Sequence, residues 1–200
     1  MDAAAPGIGR AAAAARAHEF VPVRRGAVGR AVAYHGGALC IDHVSPDAPE
    51  LASIRRRFAV FDDLLARTLR ALGVAAAVGE VPGEYCPGEF SVNDGRGHKL
   101  VGTAQRLVPR TWLFSAVILI SHPDPLRAVL EAVYADWNWT GIPATVGAVD
   151  RSVPGLTWNH VHTALLAAYA ARGELVPAVM PDSAIALARS RADRHRVPQS

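Results

Sequence analysis

The sequence has very few cysteines and no long apolar stretch. Its two cysteines, Cys40 and Cys86, lie in unlike contexts, one inside an apolar segment and one in a turn, which argues against a disulfide framework. No run of eighteen apolar residues is present, and the alanine-rich start lacks the apolar core and cleavage pattern of a signal peptide. We therefore expect a reduced, cytoplasmic protein that neither spans nor binds a membrane.

The chain also has little net charge, no internal repeat and no phosphate-binding loop of the form GxxxxGK[ST]. The formal charge is +3, and much of the excess lies between Arg189 and Arg196, which does not amount to a nucleic-acid footprint. A weakly basic surface is compatible with an acidic protein partner, through electrostatic steering of the encounter. Nucleic acid is therefore not an expected partner.

Half of the 200 residues are apolar, which is enough for one sizeable core. We predict one domain over residues 1–180 and a basic tail over residues 181–200, which lacks a stable period and forms a frayed helix or a disordered tail. Hairpins predominate over regular βαβ alternation. The predicted fold class is therefore α+β, with a mainly antiparallel sheet and flanking helices.

Helices are predicted from the helical period and from end signals. They cover residues 7–19, the segment from an Asp47/Glu50 capping box to Leu72, the segment from Asp124 to Tyr134 and the segment from Thr157 to Gly173. Strands are predicted at Phe20–Arg25, Ala31–His35, Ala38–Val44, Val74–Val78, Glu89–Asn93, Lys99–Gln105 and Trp112–Ile120. Gly36-Gly37 is expected to join the second and third strands as a hairpin, and the last strand is expected to be covered on both faces.

Cys86 and Lys99 form the most unusual pairing in the sequence. Cys86 stands between Gly83-Glu84-Tyr85 and Pro87-Gly88, so its backbone lies in a turn and its thiol is expected to be reachable. Lys99 opens a strand that follows the turn Asp94-Gly95-Arg96-Gly97. This hairpin brings both residues toward the same end of the sheet, where an ammonium favours the nucleophilic thiolate. On pattern alone, a merely structural cysteine is the competing interpretation.

The sequence of this stretch is similar to sequences of a known family. GEYCPGEFSVN followed by HKLVGTAQR resembles the biotin/lipoate protein ligase and octanoyltransferase superfamily, whose members carry a Lys-(Leu/Ile)-x-Gly-x-Ala-Gln strand with the lysine at the active site. The YCPG segment resembles the cysteine-dependent octanoyl/lipoyl amidotransferase branch. The resemblance runs from about Ala11 to about Tyr169. It implies a sheet related to that of class II aminoacyl-tRNA synthetases, with Cys86 and Lys99 as catalytic residues.

A second matching segment, RRGAVGRAVAYHGG from Arg24 to Gly37, resembles the family's Arg-Arg-x-Gly-Gly-Gly-Ala-Val-x-His loop, which wraps the acyl chain or acyl-adenylate. The glycines are depleted around Gly29, and Val28 places a branched side chain where a phosphate would approach the backbone, which disfavours phosphate binding. Together the two segments imply a set of substrate-binding residues, namely Arg24, Arg25, Gly29, His35, Gly102 and Gln105.

Family members usually carry several dozen residues before the Arg-Arg loop, including a strand and a helix. This chain begins partway into that pattern, so we expect an N-terminally shortened catalytic domain. If the corresponding strand is not replaced, one edge of the sheet is left unpaired.

The resemblance implies an acyltransferase, in which Cys86 attacks an octanoyl or lipoyl carbonyl, forms a thioester and passes the acyl group to a lysine of a lipoyl domain. Lys99 would favour the thiolate and help to hold the carbonyl oxygen. The donor would be an acyl-carrier protein or a glycine-cleavage H-type protein, and no cofactor would be needed. Two alternatives stay open. One is a lipoate-protein ligase that uses ATP and Mg²⁺ to form an acyl-adenylate, and the other is a degenerate paralogue that binds lipoyl domains without turnover.

Several other residues have a simpler interpretation. His160 and His162 are not expected to bind a metal, because positions i and i+2 on a helix point in different directions. Cys40 is predicted to be a small buried hydrophobe, and Arg55-Arg56-Arg57 a solvated helix face. For His35 two interpretations are equally good: a histidine hydrogen-bonded to the backbone, or a residue of the pocket.

Overall fold

The computed structural model describes residues 7–27, 29–46, 53–135 and 142–197. The strands in these ranges are β1 (Ala38–Ser45), β2 (Ala77–Val78), β3 (Val92–Asn93), β4 (Lys99–Val108) and β5 (Thr111–Leu119). The helices are α1 (Ile8–Ala17), α2 (Ile54–Ala71), α3 (Pro123–Tyr134), α4 (Ile142–Thr145), α5 (Val149–Ser152), α6 (Trp158–Ala170) and α7 (Asp182–Arg191), and a 3₁₀ helix, Ala192–His195, follows α7. Within the same ranges, none of the helices has both the length and the apolar character needed to cross a bilayer.

The five strands form one antiparallel sheet in the order β1-β5-β4-β3-β2. β5 lies between β1 and β4, with Ala38 opposite Leu119 on one side and Val101 opposite Ile118 on the other. The predicted fold class, α+β with a mainly antiparallel sheet and flanking helices, is therefore confirmed.

The hydrophobic core lies in two clusters. The larger cluster packs α2 and α6 against the face of β5 that carries Trp112, Phe114, Ala116 and Ile118. The smaller cluster joins α1 and α3 and includes Tyr85, so it lies directly beside the turn that holds Cys86. The alternate residues of β5 are only half-buried for most of its length. The prediction that this strand is covered on both faces is therefore wrong, because the second face of this antiparallel sheet is partly open.

Four predicted helices are found close to their predicted positions, as α1, α2, α3 and α6. Thr157 caps α6 as predicted, because its hydroxyl accepts a hydrogen bond from the backbone N–H of His160. The predicted capping box of Asp47 and Glu50 lies outside the described residues, as does Val28.

The segment from Phe20 to His35 differs from the prediction. Its described residues form no strand beyond an isolated bridge at Val23, so the predicted hairpin through Gly36-Gly37 is wrong. β1 pairs with β5 over its whole length instead. The segment packs Phe20, Ala31, Val32 and Ala33 against α1 and α3, and the Tyr134 hydroxyl donates a hydrogen bond to the Ala31 carbonyl, 2.7 Å away, which takes the place of a strand partner.

The tail is more ordered than its sequence predicts. α7 is a regular helix without a buried residue, and the 3₁₀ helix after it leads the chain back to the segment near Val23. There Val23 and Arg196 form an antiparallel bridge, and the Arg24 N–H donates a hydrogen bond to the His195 carbonyl, 2.7 Å away. The two short strands β2 and β3 form only the last residues of the predicted strands Val74–Val78 and Glu89–Asn93.

Candidate active site around Cys86

Cys86 lies at the apex of a tight turn between β2 and β3. Its backbone adopts φ +45°, in the left-handed region, which costs a residue with a side chain about 1–2 kcal/mol. Such strain persists where the surroundings fix the conformation, and it is common at functional sites. The side chain is half-buried, so the thiol is held in one place and is still reachable, as predicted.

Two donors from the segment before β1 contact the sulfur. The backbone N–H of Arg30 lies 3.2 Å from Sγ, and Nη2 of Arg25 lies 3.5 Å from it. The same Arg25 nitrogen also donates a hydrogen bond to the Arg30 carbonyl, 2.8 Å away, which fixes the guanidinium over the thiol. Gly29 makes this approach feasible, because it adopts φ +136° and a Cβ there would collide with the Arg25 guanidinium and lie 3.0 Å from Sγ.

Lys99 lies under the same turn at the start of β4. Its side chain is buried, and Nζ donates hydrogen bonds to the carbonyls of Tyr85 at 3.1 Å and of Cys86 at 2.9 Å. The predicted approach of Lys99 to Cys86 is thus confirmed, although the ammonium bonds to the backbone carbonyl of Cys86 and the cation in contact with the sulfur is Arg25. Burial lowers the pKa of Lys99, and the charges of Glu84 and Cys86 oppose that shift.

Glu84 is a functional candidate that the sequence analysis missed. Its carboxylate is buried and its Oε1 accepts hydrogen bonds from the Gly88 N–H at 2.9 Å and the Ser91 hydroxyl at 2.7 Å. The same oxygen lies 3.5 Å from Nζ of Lys99, and the two side chains are 0% and 3% exposed. The position of Glu84 directly before Tyr-Cys-Pro-Gly is the sequence signal that points to it, but its burial depends on the folded turn.

An apolar cavity of about 320 Å³ begins next to the thiol. Its walls are the alanine face of α1, residues 20–25 and 29–34, and one face of α3. Arg25 and Arg30, whose nitrogens contact Sγ, form part of this lining together with Gly29. α1 contributes Ala11, Ala12 and Ala15 here, and the small size of these side chains leaves the space open. A volume at the low end of the ligand-pocket range, with apolar walls, suits a short aliphatic chain.

The other residues of the predicted substrate-binding set lie at varying distances from this centre. Gly102 lies against Lys99, since a Cβ at Gly102 would be 3.4 Å from the lysine Cε, and Arg24 lines the cavity. Gln105 is buried farther along β4 and both ends of its amide are bonded to α2 residues. His35 bonds to the backbone on both sides, at Gly37 N–H and the His122 carbonyl. Substrate binding by these residues stays a prediction.

Two of the simpler interpretations are corrected by the structure. Cys40 is exposed on the edge strand β1, so the prediction of a buried hydrophobe is wrong. Arg57 is buried, and its Nε donates a hydrogen bond to Oε1 of Gln105, 2.8 Å away, so the predicted solvated face holds for Arg55 and Arg56 only.

His160 forms part of the N-terminal cap of α6. Among the described residues, no group of three His, Cys, Asp or Glu side chains is placed to hold a metal ion.

The fold and the site together define a class of protein: an α+β catalytic domain with a cysteine and a lysine at one end of an antiparallel sheet, beside an apolar cavity. The chain matches the model of the lipoyl protein ligase A/B catalytic domain over residues 9–170. It belongs to that family.

Three relatives are similar to this chain in sequence or in fold. An octanoyl-[GcvH]:protein N-octanoyltransferase of Geobacillus kaustophilus is 31% identical over 107 residues, which are 54% of this chain and 38% of that protein. A lipoate-protein ligase A bound with ATP superposes with a TM-score of 0.71 at 21% identity and covers 90% of this chain and 70% of its own. A structure from an analysis of the bipartite lipoate protein ligase of Thermoplasma acidophilum and its E2 lipoyl domain superposes with a TM-score of 0.71 at 21% identity and covers 91% of this chain and 70% of its own. These structures establish the fold, and the chain spans less than half of the curated relative that it matches.

Proposed function

We propose that this protein is an octanoyl or lipoyl transferase that uses Cys86 as its nucleophile. The observation that carries the proposal is the placement of a half-buried thiol in a left-handed turn, in contact with a guanidinium and a backbone N–H, next to an apolar cavity. Cations and N–H donors around a sulfur are the usual surroundings of a reactive cysteine. The likeness to an octanoyltransferase over 107 residues supports the same activity.

The reaction has two steps. The Cys86 sulfur attacks the acyl carbonyl of the donor, a C–S bond forms, and the bond from the carbonyl carbon to the donor's sulfur or nitrogen breaks, with a proton passing to that leaving group. The amine of an acceptor lysine then attacks the Cys86 thioester, an amide forms, and the thiol is released with the proton that the amine gives up. Both steps balance without a nucleotide, so the transferase needs no cofactor. Arg25 and the Arg30 N–H would stabilise the sulfur when it carries negative charge in either step.

The cavity gives the acyl group its place. An aliphatic chain attached to Cys86 can pass between the residues that contact Sγ and lie against α1 and α3. Each buried methylene contributes about 0.8 kcal/mol, so a chain of eight carbons has a strong preference for this cavity over water. We propose a glycine-cleavage H-type protein as the donor, following the relative named for that activity, and a lysine of a lipoyl domain as the acceptor. Because Cys86 must stay a free thiol, we propose a cytoplasmic location.

The second candidate is an ATP-dependent lipoate-protein ligase with Mg²⁺, supported by the ATP-bound relative of the same fold. In the family-like loop, a phosphate would approach the backbone where a glycine leaves room. In this chain the space beside Gly29 holds the Arg25 guanidinium and the Cys86 sulfur instead. That packing favours the transferase over the ligase.

Intact-mass spectrometry after incubation with an octanoylated H-type protein tests the proposal. We expect an octanoyl increment on Cys86 without ATP, removal of that increment by hydroxylamine, and loss of the increment and of transfer to a lipoyl domain in Cys86→Ser. Cys40→Ser is the matched control, since it removes the exposed cysteine of β1, and should behave as the unaltered protein. Transfer that requires ATP and survives in Cys86→Ser would support the ligase, and no transfer with or without ATP would support a binding protein without turnover.

A further inference from the structure

The turn that carries Cys86 is built around one buried carboxylate. Oε1 of Glu84 accepts two hydrogen bonds from the far side of the turn, at Gly88 and Ser91, and lies 3.5 Å from the Lys99 ammonium. The ammonium in turn donates to the carbonyls of Tyr85 and Cys86. A closed ring of contacts therefore runs from residue 84 through Lys99 to residue 86, and it encloses the strained backbone of the cysteine.

The burial of this ring decides what it can do. Counted over the whole residue, Glu84 is 1% exposed and Lys99 is 2% exposed, so water solvates neither charge. Removing one partner of such a pair leaves an uncompensated buried charge. The second carboxylate oxygen of Glu84, Oε2, has no hydrogen-bond partner among the described residues, which makes Lys99 the main compensation for its charge.

We propose that Glu84 is a positioning residue for the thioester chemistry: its carboxylate keeps Lys99 in place and charged, and thereby holds the Cys86 turn in the conformation that presents the sulfur to Arg25 and Arg30. This inference rests on the proposed function for its catalytic meaning. The structural part of the inference, that Glu84 holds Lys99 and the turn, depends only on the contacts of the ring. Glu84 acts through Lys99 and the turn, because its carboxylate bonds to Gly88 and Ser91 and pairs with Lys99 rather than contacting the sulfur.

The protonation of Lys99 is the quantity that tests this role of Glu84. Burial lowers the pKa of Lys99, whereas the charge of Glu84, the charge of Cys86 and the bond to Glu84 raise it. Arg25, on the segment before β1, lowers it further, and Asp62 on α2 also interacts with the lysine. An opposite charge within hydrogen-bonding range raises the pKa of an ammonium by about one to three units. Removing the charge of Glu84 should therefore make Lys99 lose its proton at lower pH.

The composition of the chain makes this measurable without any enzymatic assay. Lys99 is the only lysine in the sequence. Protein labelled with ¹³C at the lysine Cε therefore gives a single lysine signal, and its chemical shift against pH reports the titration of this one ammonium. A second readout is the rate at which iodoacetamide alkylates Cys86, followed on the Cys86 peptide by mass spectrometry.

The decisive variant is Glu84→Gln, which keeps an oxygen acceptor for Gly88 and Ser91 and removes the charge. We expect the Lys99 titration to move down by about one pH unit or more, and the octanoyl transfer kcat to fall about tenfold or more with KM little changed. The alkaline limb of the transfer rate should move down with the Lys99 titration. Glu89→Gln is the matched control, because Glu89 lies in the same connection, is exposed and pairs with Arg55. It should leave the Lys99 titration, the alkylation rate of Cys86 and the octanoyl transfer rate at the values of the unaltered protein.

Glu84→Asp keeps the test decisive if Glu84→Gln does not fold. It retains the charge on a shorter side chain, so the Lys99 titration should lie between those of the unaltered protein and Glu84→Gln, with slower alkylation of Cys86. Unaltered Lys99 titration and Cys86 alkylation in a folded Glu84 variant would overturn the positioning role. If Lys99 shifts as expected and the unaltered protein transfers no acyl group, the positioning of the turn is upheld and the proposed function is the part that fails.

Discussion

Asp62 is a buried acid whose surroundings favour its neutral form. It is 0% exposed on α2, one carboxylate oxygen has no hydrogen-bond partner among the described residues, and the other lies 3.4 Å from the donating hydroxyl of Thr103. Burial raises its pKa to about 8, which the Thr103 bond and the charge of Lys99 only partly oppose. At neutral pH the folded protein therefore keeps a proton that the unfolded chain has lost.

This difference predicts how stability depends on pH. Between the ordinary pKa of 3.8 and about 8, the folded state binds more protons at Asp62 than the unfolded state does, so stability falls as pH rises through that window. Asp62→Asn resembles the neutral acid in shape and removes this dependence. We expect its melting temperature at pH 8 to be about 3 °C or more above that of the unaltered protein, and the gap to close toward pH 4.

Thermal unfolding between pH 4 and pH 9, followed by circular dichroism, provides the measurement. Asp63→Asn is the matched control, because Asp63 follows Asp62 on the same helix and forms an exposed ion pair with Arg67, which contributes little to stability. The control should keep the pH dependence of the unaltered protein. An equal slope in Asp62→Asn would contradict the assignment of a retained proton to this residue.

At the residue scale, the sequence predicts which side chains are chemically notable better than it predicts what they contact. Cys86 and Lys99 were identified as neighbours because a short hairpin brings its two ends together by chain geometry alone. Arg25 lies 61 residues before Cys86, and its contact with Sγ depends on how an irregular segment packs against α1 and α3. Glu84 is missed for a related reason, since a glutamate is normally exposed and only the folded turn buries it.

Among the elements, long helices with a clear period are predicted well, whereas short and irregular segments are not. α2 carries apolar residues at helical spacing over five turns, and packing only reinforces that pattern. Phe20–His35 has strand-like residues, yet its described part joins no strand of the sheet, because several of its apolar side chains pack against the cluster of α1 and α3 instead. A strand needs a partner, and the choice of partner is a property of the whole sheet.

The alanine face of α1 leads to a prediction at this scale. Ala12 is 3% exposed and lines the cavity, so a leucine at this position would extend into empty space. We expect Ala12→Leu to reduce octanoyl transfer about tenfold relative to butyryl transfer, because the longer chain loses the room for its last carbons. The ratio of kcat/KM for the two acyl groups is the quantity to measure.

Ala13→Leu serves as the control for this change, since Ala13 is exposed on the opposite side of the same helix. It should leave the ratio of octanoyl to butyryl transfer unchanged. Equal losses for both acyl groups in Ala12→Leu would indicate a general disturbance of α1, and the cavity would then not be the acyl site.

For the molecule as a whole, the family match ends at residue 170 while the tail returns to the site. We propose, in line with the sequence, that residues 1–180 form the catalytic domain and that the remainder is an appendage to it. α7 has no buried residue, so nothing in it stabilises the core. Within the described residues, the tail bonds to the domain at the end of the 3₁₀ helix and just after it, through the pairing of Arg24 with His195 and the bond from Arg16 to the carbonyl of Val197, 2.8 Å away.

This arrangement predicts that the tail affects ligand affinity more than stability. Val197 lines the cavity, so truncation after residue 173 opens one of its walls and removes roughly 1 kcal/mol of apolar contact with a bound chain. We expect the dissociation constant for octanoate, measured by calorimetry, to rise about fivefold, while the melting temperature changes by less than about 2 °C. Leu187→Ala, an exposed change on α7 that leaves the chain after it intact, should have neither effect. An unchanged octanoate affinity after truncation would show that Val197 forms no functional wall of the cavity, and a large drop in melting temperature would show that the tail belongs to the folding unit.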